Sequence, residues 1–338
     1  MKKRNLCAAI GAAFGMLVLI LDGKTALTGA ADGVTLCLTT LVPSLFPFFL
    51  LSILLTGALA GQAVPLLRPI ADACKIPKGA ESLLAIGLLG GYPVGAQNAA
   101  LMHRAGQLTK EQAARMIVFC NNAGPAFIFG ILSPMFSNTA TPWLLWAVHI
   151  VSALLVGLLL PGDAPARAAQ PLPRQIRITD ALEQAVKTMA LVCGWVVLMR
   201  MVIAFLERWF LWLLPASAQV AVAGIFELAN GCVQLLRIDC EGLRFILAAG
   251  MLSLGGICVT LQTASVAEGI PMKLYFPGKL LQSCCSILLA FLLQTLFAPS
   301  QRCGSYVPMA FAAFLGIGCI LTLKFSKKSS RIPAHIGV

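Results

Sequence analysis

Long apolar runs separated by short polar loops fill most of the chain. Residues 143–160 form a nearly continuous apolar stretch of the length that a bilayer core requires. Two further runs, at 83–102 and 245–267, are each interrupted by a Gly-Gly pair, and residues 109–112 (Thr-Lys-Glu-Gln) have the sequence of a helix start. This pattern predicts an all-α polytopic membrane protein with discontinuous or re-entrant helices.

The two Gly-Gly pairs belong to one motif, Leu-Gly-Gly-x-x-Val-x-x-Gln-x-Ala, which occurs at 89–99 and again at 254–264. Matches of Leu and Ala arise by chance in an apolar chain. A chance match is less expected for the Gly-Gly pair and for the glutamines, Gln97 and Gln262. Paired Gly-interrupted segments in two halves of a membrane protein indicate a transport site near the bilayer midplane. We therefore predict a two-fold internal repeat. The alternative is two ordinary helices that carry small residues on one face.

The predicted organisation has five parts. A basic start and a short apolar run resemble a secretory signal, but no convincing cleavage site follows, so a retained helix is favoured. Basic residues near both ends place both termini in the cytoplasm by the positive-inside rule. The parts are an N-terminal membrane anchor helix (1–24), a first repeat (25–160), a basic linker rich in Pro and Ala (161–178), a second repeat (179–300) and a C-terminal transmembrane helix with a basic tail (301–338).

Composition agrees with a bilayer environment. The 338 residues are 59% hydrophobic and only 11% charged, with a mean hydropathy of +0.87, whereas soluble domains average about 25% charged residues. The net charge of +12 is scattered over short loops and the ends, which favours contact with lipid headgroups over nucleic-acid binding. The sequence has no H-E-x-x-H or G-x-S-x-G motif and no metal-ligand spacing, so we expect neither an enzyme nor a bound cofactor or metal.

The candidate substrate-binding residues surround the expected helix breaks. Glycines allow the backbone to break and approach a ligand, and each side-chain amide offers two donors and an acceptor. A buried amide without a partner costs about 1 to 3 kcal/mol, so amides beside broken helices predict a shared polar centre that binds a small molecule. The alternative is that the amides only bond one another and freed backbone groups. The candidates are Gly90, Gly91, Tyr92, Pro93, Gly95, Gln97, Asn98, Asn121, Asn122, Gly255, Gly256, Thr260 and Gln262.

Glu227 and Arg200 lie inside apolar runs, where a charge costs roughly 2.5 to 3.5 kcal/mol, so they are functional candidates. Glu227 is predicted to couple transport to a proton or sodium ion beside a helix break at Asn230-Gly231. Arg200 is predicted either to pair with Glu227 or to clamp a carboxylate. The alternatives are that the two residues form a purely structural ion pair, or that Arg200 extends toward the membrane interface. For His149, packing or an interhelical hydrogen bond is favoured over a proton relay.

Five blocks in a consistent order carry a family resemblance over nearly the whole chain. The blocks are Pro-Ser-Leu-Phe-Pro-Phe-Phe at 43–49, Gly-Tyr-Pro-Val-Gly-Ala at 91–96, Phe-Cys-Asn-Asn-Ala-Gly-Pro at 119–125, Glu-Leu-Ala-Asn-Gly at 227–231 and Gly-Gly-x-x-Val-x-x-Gln at 255–262. They resemble the YlbJ-type sporulation integral membrane proteins, which contain nucleoside-recognition (Gate) domains.

The resemblance implies a fold similar to that of the concentrative nucleoside transporters. It also implies residence in the outer forespore membrane of a sporulating bacterium and movement of dipicolinic acid, a small aromatic dicarboxylate, from the mother cell toward the forespore. Neutral nucleosides are the alternative cargo. A sporulation membrane scaffold that moves no solute is the alternative role, and an oligomer is compatible with each of these.

Overall fold

A computed structural model describes residues 3–59, 64–162 and 177–297, and these residues form helices and turns without a β-strand. The predicted linker falls mostly outside the described residues, and the predicted C-terminal helix and tail fall wholly outside them. The helices are α1 (Lys3–Leu21), α2 (Gly23–Leu36), α3 (Val42–Leu59), α4 (Arg68–Ala73), α5 (Glu81–Leu89), α6 (Val94–Arg104), α7 (Lys110–Phe119), α8 (Pro125–Phe127), α9 (Thr141–Leu159), α10 (Ile178–Trp209), α11 (Ala216–Phe226), α12 (Leu228–Val233), α13 (Glu241–Leu254), α14 (Gly256–Val266) and α15 (Tyr275–Phe297).

Five helical segments among the described residues are long and apolar enough to cross a bilayer. Large apolar side chains such as Leu158 and Leu198 stay exposed on them, as a surface that faces lipid requires. The all-α membrane class predicted from the sequence is therefore confirmed for this part of the chain. The segments are Gly23–Leu59, Thr141–Leu159, Ile178–Trp209, Glu241–Val266 and Met272–Leu296.

The first long segment joins α2 to α3 through a π-helical turn at Cys37–Leu41. Pro43 follows this turn. In a regular α-helix the proline ring would clash with the carbonyl group four residues earlier, and the wider π-helical turn relieves that clash. α2 packs closely on α10 because Gly29 and Gly33 lack side chains there. A Cβ added to Gly33 would lie 2.8 Å from the Val197 Cα.

Two pairs of short helices fold back on themselves as hairpins. α11 turns into α12 at Glu227, whose backbone is extended (φ −147°, ψ 119°). The two helices approach so closely that a Cβ on Gly231 would lie 2.3 Å from the Gly224 Cα. α5 and α6 also pack against each other. They are joined through Gly91, whose φ of +81° is a conformation that glycine adopts without strain.

The start of the α5–α6 hairpin is fixed by a buried acid. Glu81 is buried at the first position of α5, where its carboxylate accepts hydrogen bonds from the Arg68 guanidinium and from the Gly79 backbone N–H. Arg68 also bonds to Asp72 and thereby lowers the pKa of the Asp72 carboxyl. This charged cluster ties the hairpin to the short helix α4.

Two other helices are interrupted. α13 gives way to α14 at Gly255 and Gly256, which have φ values of +71° and +78°, within a single segment of membrane-spanning length. α7 ends at Phe119, and five residues separate it from α8, which begins at Pro125. Thr109 starts α7 as the sequence predicts, since Thr109 Oγ1 accepts from the Gln112 N–H at 3.1 Å and the Gln112 side chain accepts in return from the Thr109 N–H at 2.9 Å.

The order of these elements occurs twice along the chain. A long helix (α2–α3 or α10) is followed by a hairpin, by an interrupted helix and by another long helix (α9 or α15). The two Gly-Gly pairs occupy different places in this order: Gly90-Gly91 lies at a hairpin tip, and Gly255-Gly256 lies within an interrupted helix. The sequence motif therefore marks two positions that both need a backbone break, one in a hairpin and one in an interrupted helix.

Candidate functional site

The two hairpin tips and the two interrupted helices meet around one cavity. Its open space, including the part that faces outward, is about 520 Å³. Aromatic side chains contribute much of the wall, and Glu227 is the single charged residue in the lining. The lining consists of Leu41, Leu45, Phe48, Phe49, Gly90, Gly91, Tyr92, Ala123, Gly124, Ala126, Phe127, Val192, Val196, Glu227, Leu228, Val259 and Gln262.

Five of the predicted site residues line this cavity, namely Gly90, Gly91, Tyr92, Glu227 and Gln262. The two hairpin tips and the middle of α14 supply them, so residues far apart in sequence share one wall. The remaining predicted residues lie outside the lining; these are Pro93, Gly95, Gln97, Asn98, Asn121, Asn122, Arg200, Asn230, Gly255, Gly256 and Thr260.

Glu227 caps the start of α12. Its Oε1 accepts from the Ala229 N–H at 3.0 Å, and its Oε2 accepts from the Asn230 N–H at 2.6 Å and from Asn230 Nδ2 at 2.7 Å. These donors are all neutral, so the 3%-exposed carboxylate is stabilised by the N-terminus of a helix and not by a cation. The predicted helix break at Asn230-Gly231 is wrong. The break is at Glu227 instead. The first backbone N–H groups of α12 have no carbonyl partner in a preceding helical turn, and the Glu227 carboxylate accepts their hydrogen bonds.

Arg200 does not pair with Glu227. Its guanidinium bonds to Asp32 Oδ2 at 2.9 Å and to Glu207 Oε2 at 2.8 Å. Asp32 lies on α2, so this pair joins the two long helices α2 and α10 side by side. The predicted pairing of Arg200 with Glu227 is therefore wrong, and Arg200 instead forms ion pairs with Asp32 and Glu207.

Asn121 uses its whole amide to hold the break between α7 and α8. Its Oδ1 accepts from the Ala96 N–H at 3.2 Å, and its Nδ2 lies 2.9 Å from Thr263 Oγ1 and 3.0 Å from the Tyr275 hydroxyl. One side chain thereby joins the break to α6, α14 and α15. Its amide donors and acceptor already have protein partners, as the alternative role for the amides predicts.

Asn122 belongs to a second buried network. Its Nδ2 donates to the Phe119 carbonyl at 2.6 Å. Its Oδ1 accepts from Lys279 Nζ at 3.2 Å and from Gln282 Nε2 at 3.0 Å. Lys279 also donates to the Asn121 carbonyl at 2.5 Å and to Gln282 Oε1 at 2.9 Å. The network fastens α15 to the non-helical turn after α7.

Sequence reasoning missed Lys279, which directly precedes the apolar run that begins at Leu280. The structure begins α15 at Tyr275, which places Pro277 in the first turn, where a missing N–H breaks no helical hydrogen bond. Lys279 then lies inside the helix and is fully buried. The available signal was a lysine directly ahead of a long apolar run and two residues after a proline that suits a helix start.

The two motif glutamines differ in position. Gln262 is 3% exposed and faces the cavity, where its Nε2 has only Cys258 Sγ as a partner at 3.3 Å. Gln97 is half-buried on α6 and does not contribute to the cavity wall. Its neighbour Asn98 donates to Thr56 Oγ1 at 3.2 Å and to the Val94 carbonyl at 2.9 Å, which ties α6 to α3.

The predicted glycines act mainly through close packing. A Cβ on Gly95 would lie 2.0 Å from the Cys120 carbonyl oxygen, and one on Gly256 would lie 2.8 Å from the Gly224 carbonyl oxygen. Pro93 immediately precedes α6, and Thr260 Oγ1 donates to the Gly256 carbonyl at 2.9 Å. These residues let each hairpin approach the neighbouring interrupted helix, and so they shape the cavity from behind its lining.

His149 joins the two interrupted helices. Its Nε2 accepts from the Ala123 N–H at 3.1 Å, and its Nδ1 lies 3.0 Å from Ser253 Oγ. Because a backbone N–H can only donate, Nε2 must be unprotonated, and the neutral ring then donates from Nδ1. This is the interhelical hydrogen-bonding role favoured from the sequence.

No group of three or more His, Cys, Asp and Glu side chains in the described parts of the chain could hold a metal ion. Among proteins of known name, the chain is similar to the sporulation integral membrane protein YlbJ of Bacillus subtilis (strain 168). The two are 26% identical over 311 residues, which cover 77% of this chain and 76% of that protein. No protein-family model matches the chain, and no solved structure matches it significantly.

Proposed function

We propose that this protein is a transporter that moves a small carboxylate across a membrane through the cavity between its helix breaks. The observation that carries the proposal is the meeting of two hairpin tips and two interrupted helices around one cavity in a membrane protein. Discontinuous helices of this kind form the substrate sites of many transporters. The repeated order of elements supports a two-fold repeat similar to the concentrative nucleoside transporters, with the α5–α6 hairpin equivalent to α11–α12.

The cavity wall suits a flat anionic ligand. Phe48, Phe49 and Phe127 offer ring faces to an aromatic substrate. α14 begins without a side-chain cap three residues before Val259, which lines the cavity, and the partial positive charge at such a helix start favours a carboxylate. The resemblance described above favours dipicolinic acid, and similarity to a sporulation membrane protein favours the outer forespore membrane as the location.

Glu227 is the proposed coupling residue. Glu227 lines the cavity and is buried, and the groups that donate hydrogen bonds to its carboxylate are all neutral. A buried carboxylate in a membrane segment is stabilised further when it binds a proton or a cation. We propose that a proton or sodium ion binds Glu227 together with the substrate.

Uptake into liposomes that contain only this protein tests the proposal. Val196 lines the cavity, whereas Val186 on the same helix is 51% exposed. Val196→Phe should therefore obstruct the cavity, and Val186→Phe should only enlarge a surface that faces lipid. We expect dipicolinate uptake by the wild type and by Val186→Phe, and none by Val196→Phe.

The alternatives predict other outcomes of the same experiment. Uptake of uridine but not of dipicolinate would favour a nucleoside transporter. No uptake of either solute by well-folded protein would favour a scaffold that moves no solute. In sporulating cells that lack the protein, the proposal predicts spores low in dipicolinate while the mother cell still makes it.

A further inference from the structure

Lys279 is a fully buried cation that lies behind the cavity wall. Its exposed fraction is 0%, and its Nζ is 5.1 Å from the centre of the Tyr92 ring. Tyr92 itself lines the cavity. One aromatic ring therefore separates a buried ammonium group from the space that we propose holds the substrate.

The hydrogen-bond partners around Lys279 match the donors of its charged form. Nζ has three partners, the Asn121 carbonyl, Asn122 Oδ1 and Gln282 Oε1. All three are acceptors, because Asn122 already donates from its Nδ2 to the Phe119 carbonyl and Gln282 donates from its Nε2 to Asn122. An ammonium group has three N–H donors and no acceptor, which matches this set.

The positive charge has no acidic partner among these contacts. The three acceptors are neutral, and the second aromatic neighbour, Tyr275, lies with its ring centre 5.8 Å from Nζ. Within a low-dielectric interior, a charge without a counter-ion acts over longer distances than at a surface. A mobile anion in the cavity could approach this charge where Tyr92 forms part of the wall.

Glu227, the charged residue of the lining, does not fully cancel the attraction between Lys279 and an anion in the cavity. Its carboxylate accepts three N–H groups at the start of α12, so the partial positive charge of that helix start offsets its own charge. The cavity thus lies between a cation held by neutral acceptors and an anion held by N–H donors.

We propose that Lys279 determines the charge selectivity of the cavity: acting across the Tyr92 ring, it favours a carboxylate over a neutral ligand of the same shape. Lys279 is a specificity-determining residue that does not touch the substrate. This inference rests on the proposed function, because it concerns the ligand of the same cavity.

The test compares two ligands of one shape, dipicolinate and its uncharged diamide, pyridine-2,6-dicarboxamide. Binding of each to the purified full-length protein in detergent is measured by calorimetry for the wild type, Lys279→Gln and Lys279→Arg. Lys187→Gln is the control, because Lys187 is exposed on α10 and pairs with Glu183. The wild type, Lys279→Arg and Lys187→Gln should prefer dipicolinate over the diamide by about tenfold or more.

Lys279→Gln should lose most of that preference by weakening dipicolinate binding while it leaves diamide binding within about twofold. Equal weakening of both ligands would show a purely structural role and overturn the inference. If Lys279→Gln does not fold, the test uses the wild type alone. Equal affinity of the wild type for the two ligands would then overturn the inference, and it would leave the transport proposal intact. A wild type that binds neither ligand but takes up another solute would contradict the carboxylate proposal and this inference with it.

Discussion

Tyr92 and Leu252 join the first hairpin to the second interrupted helix. The Tyr92 hydroxyl donates to the Leu252 carbonyl oxygen at 3.2 Å, and both residues are buried. Leu252 lies in the last turn of α13, where carbonyls lose their intrahelical partners because the helix stops at Gly255. A side chain from 160 positions earlier in the chain thus completes the hydrogen bonding of this break.

Tyr92→Phe should lower the stability of the protein by about 1 kcal/mol, because it leaves a buried carbonyl without its donor. Thermal unfolding in detergent measures the change. Thr39→Val is the control, since Thr39 is exposed and its hydroxyl bonds to the Thr35 carbonyl and to the Thr40 hydroxyl, both in its own helical segment. Equal stability of Tyr92→Phe and the wild type would show that the hairpin tip does not depend on this bond.

Glu227→Gln should abolish accumulation of substrate against its gradient, because the amide cannot bind a proton or neutralise a cation. Substrate exchange across the liposome membrane should persist, since Gln keeps the size of the side chain and one of its two accepting oxygens. The measurement compares uptake driven by an imposed proton or sodium gradient with counterflow in one preparation. Glu183→Gln, which removes an exposed acid on α10, should behave as wild type. Normal accumulation by Glu227→Gln would show that Glu227 only caps α12 and does not couple transport to an ion.

Gln262→Ala and Gln97→Ala should differ although the two residues share a motif. Gln262 faces the cavity, so its loss should weaken substrate binding by roughly 1.5 to 3 kcal/mol, the value of one hydrogen bond to a charged group. Gln97 lies outside the lining, so Gln97→Ala should bind within about twofold of the wild type. Titration of both variants with dipicolinate gives the comparison. Equal losses would mean that Gln97 reaches the ligand in another conformation.

Gly256→Ala should fail to fold or lose much of its stability, whereas Gly269→Ala should lose only about 1 to 2 kcal/mol. Both glycines have positive φ, +78° and +79°, so both variants incur the same backbone strain. A Cβ on Gly256 would lie 2.8 Å from the Gly224 carbonyl oxygen, while one on Gly269 meets no atom within 4 Å. Yield of monodisperse protein and unfolding temperature report the difference. Similar behaviour of the two variants would contradict the close contact between hairpin and break.

Local features of the chain could be read from the sequence. Hydropathy and segment length predicted an all-α membrane protein, because a bilayer imposes them on each helix separately. The helix start at Thr109 and the breaks at Gly91 and Gly255 were also predictable. Each depends on the few residues around it, through a capping side chain or a backbone conformation that favours glycine.

Only the tertiary structure decided which of these features meet. Gln97 and Gln262 are equivalent in the motif, but packing turns Gln262 toward the cavity and leaves Gln97 outside it. The motif and hydropathy pattern also did not identify Asp32 and Glu207 as the partners of Arg200, or Lys279 as a buried residue. A hydrogen bond or ion pair in the membrane joins groups from segments far apart in the chain, so its partners depend on how whole helices pack, which no local pattern specifies.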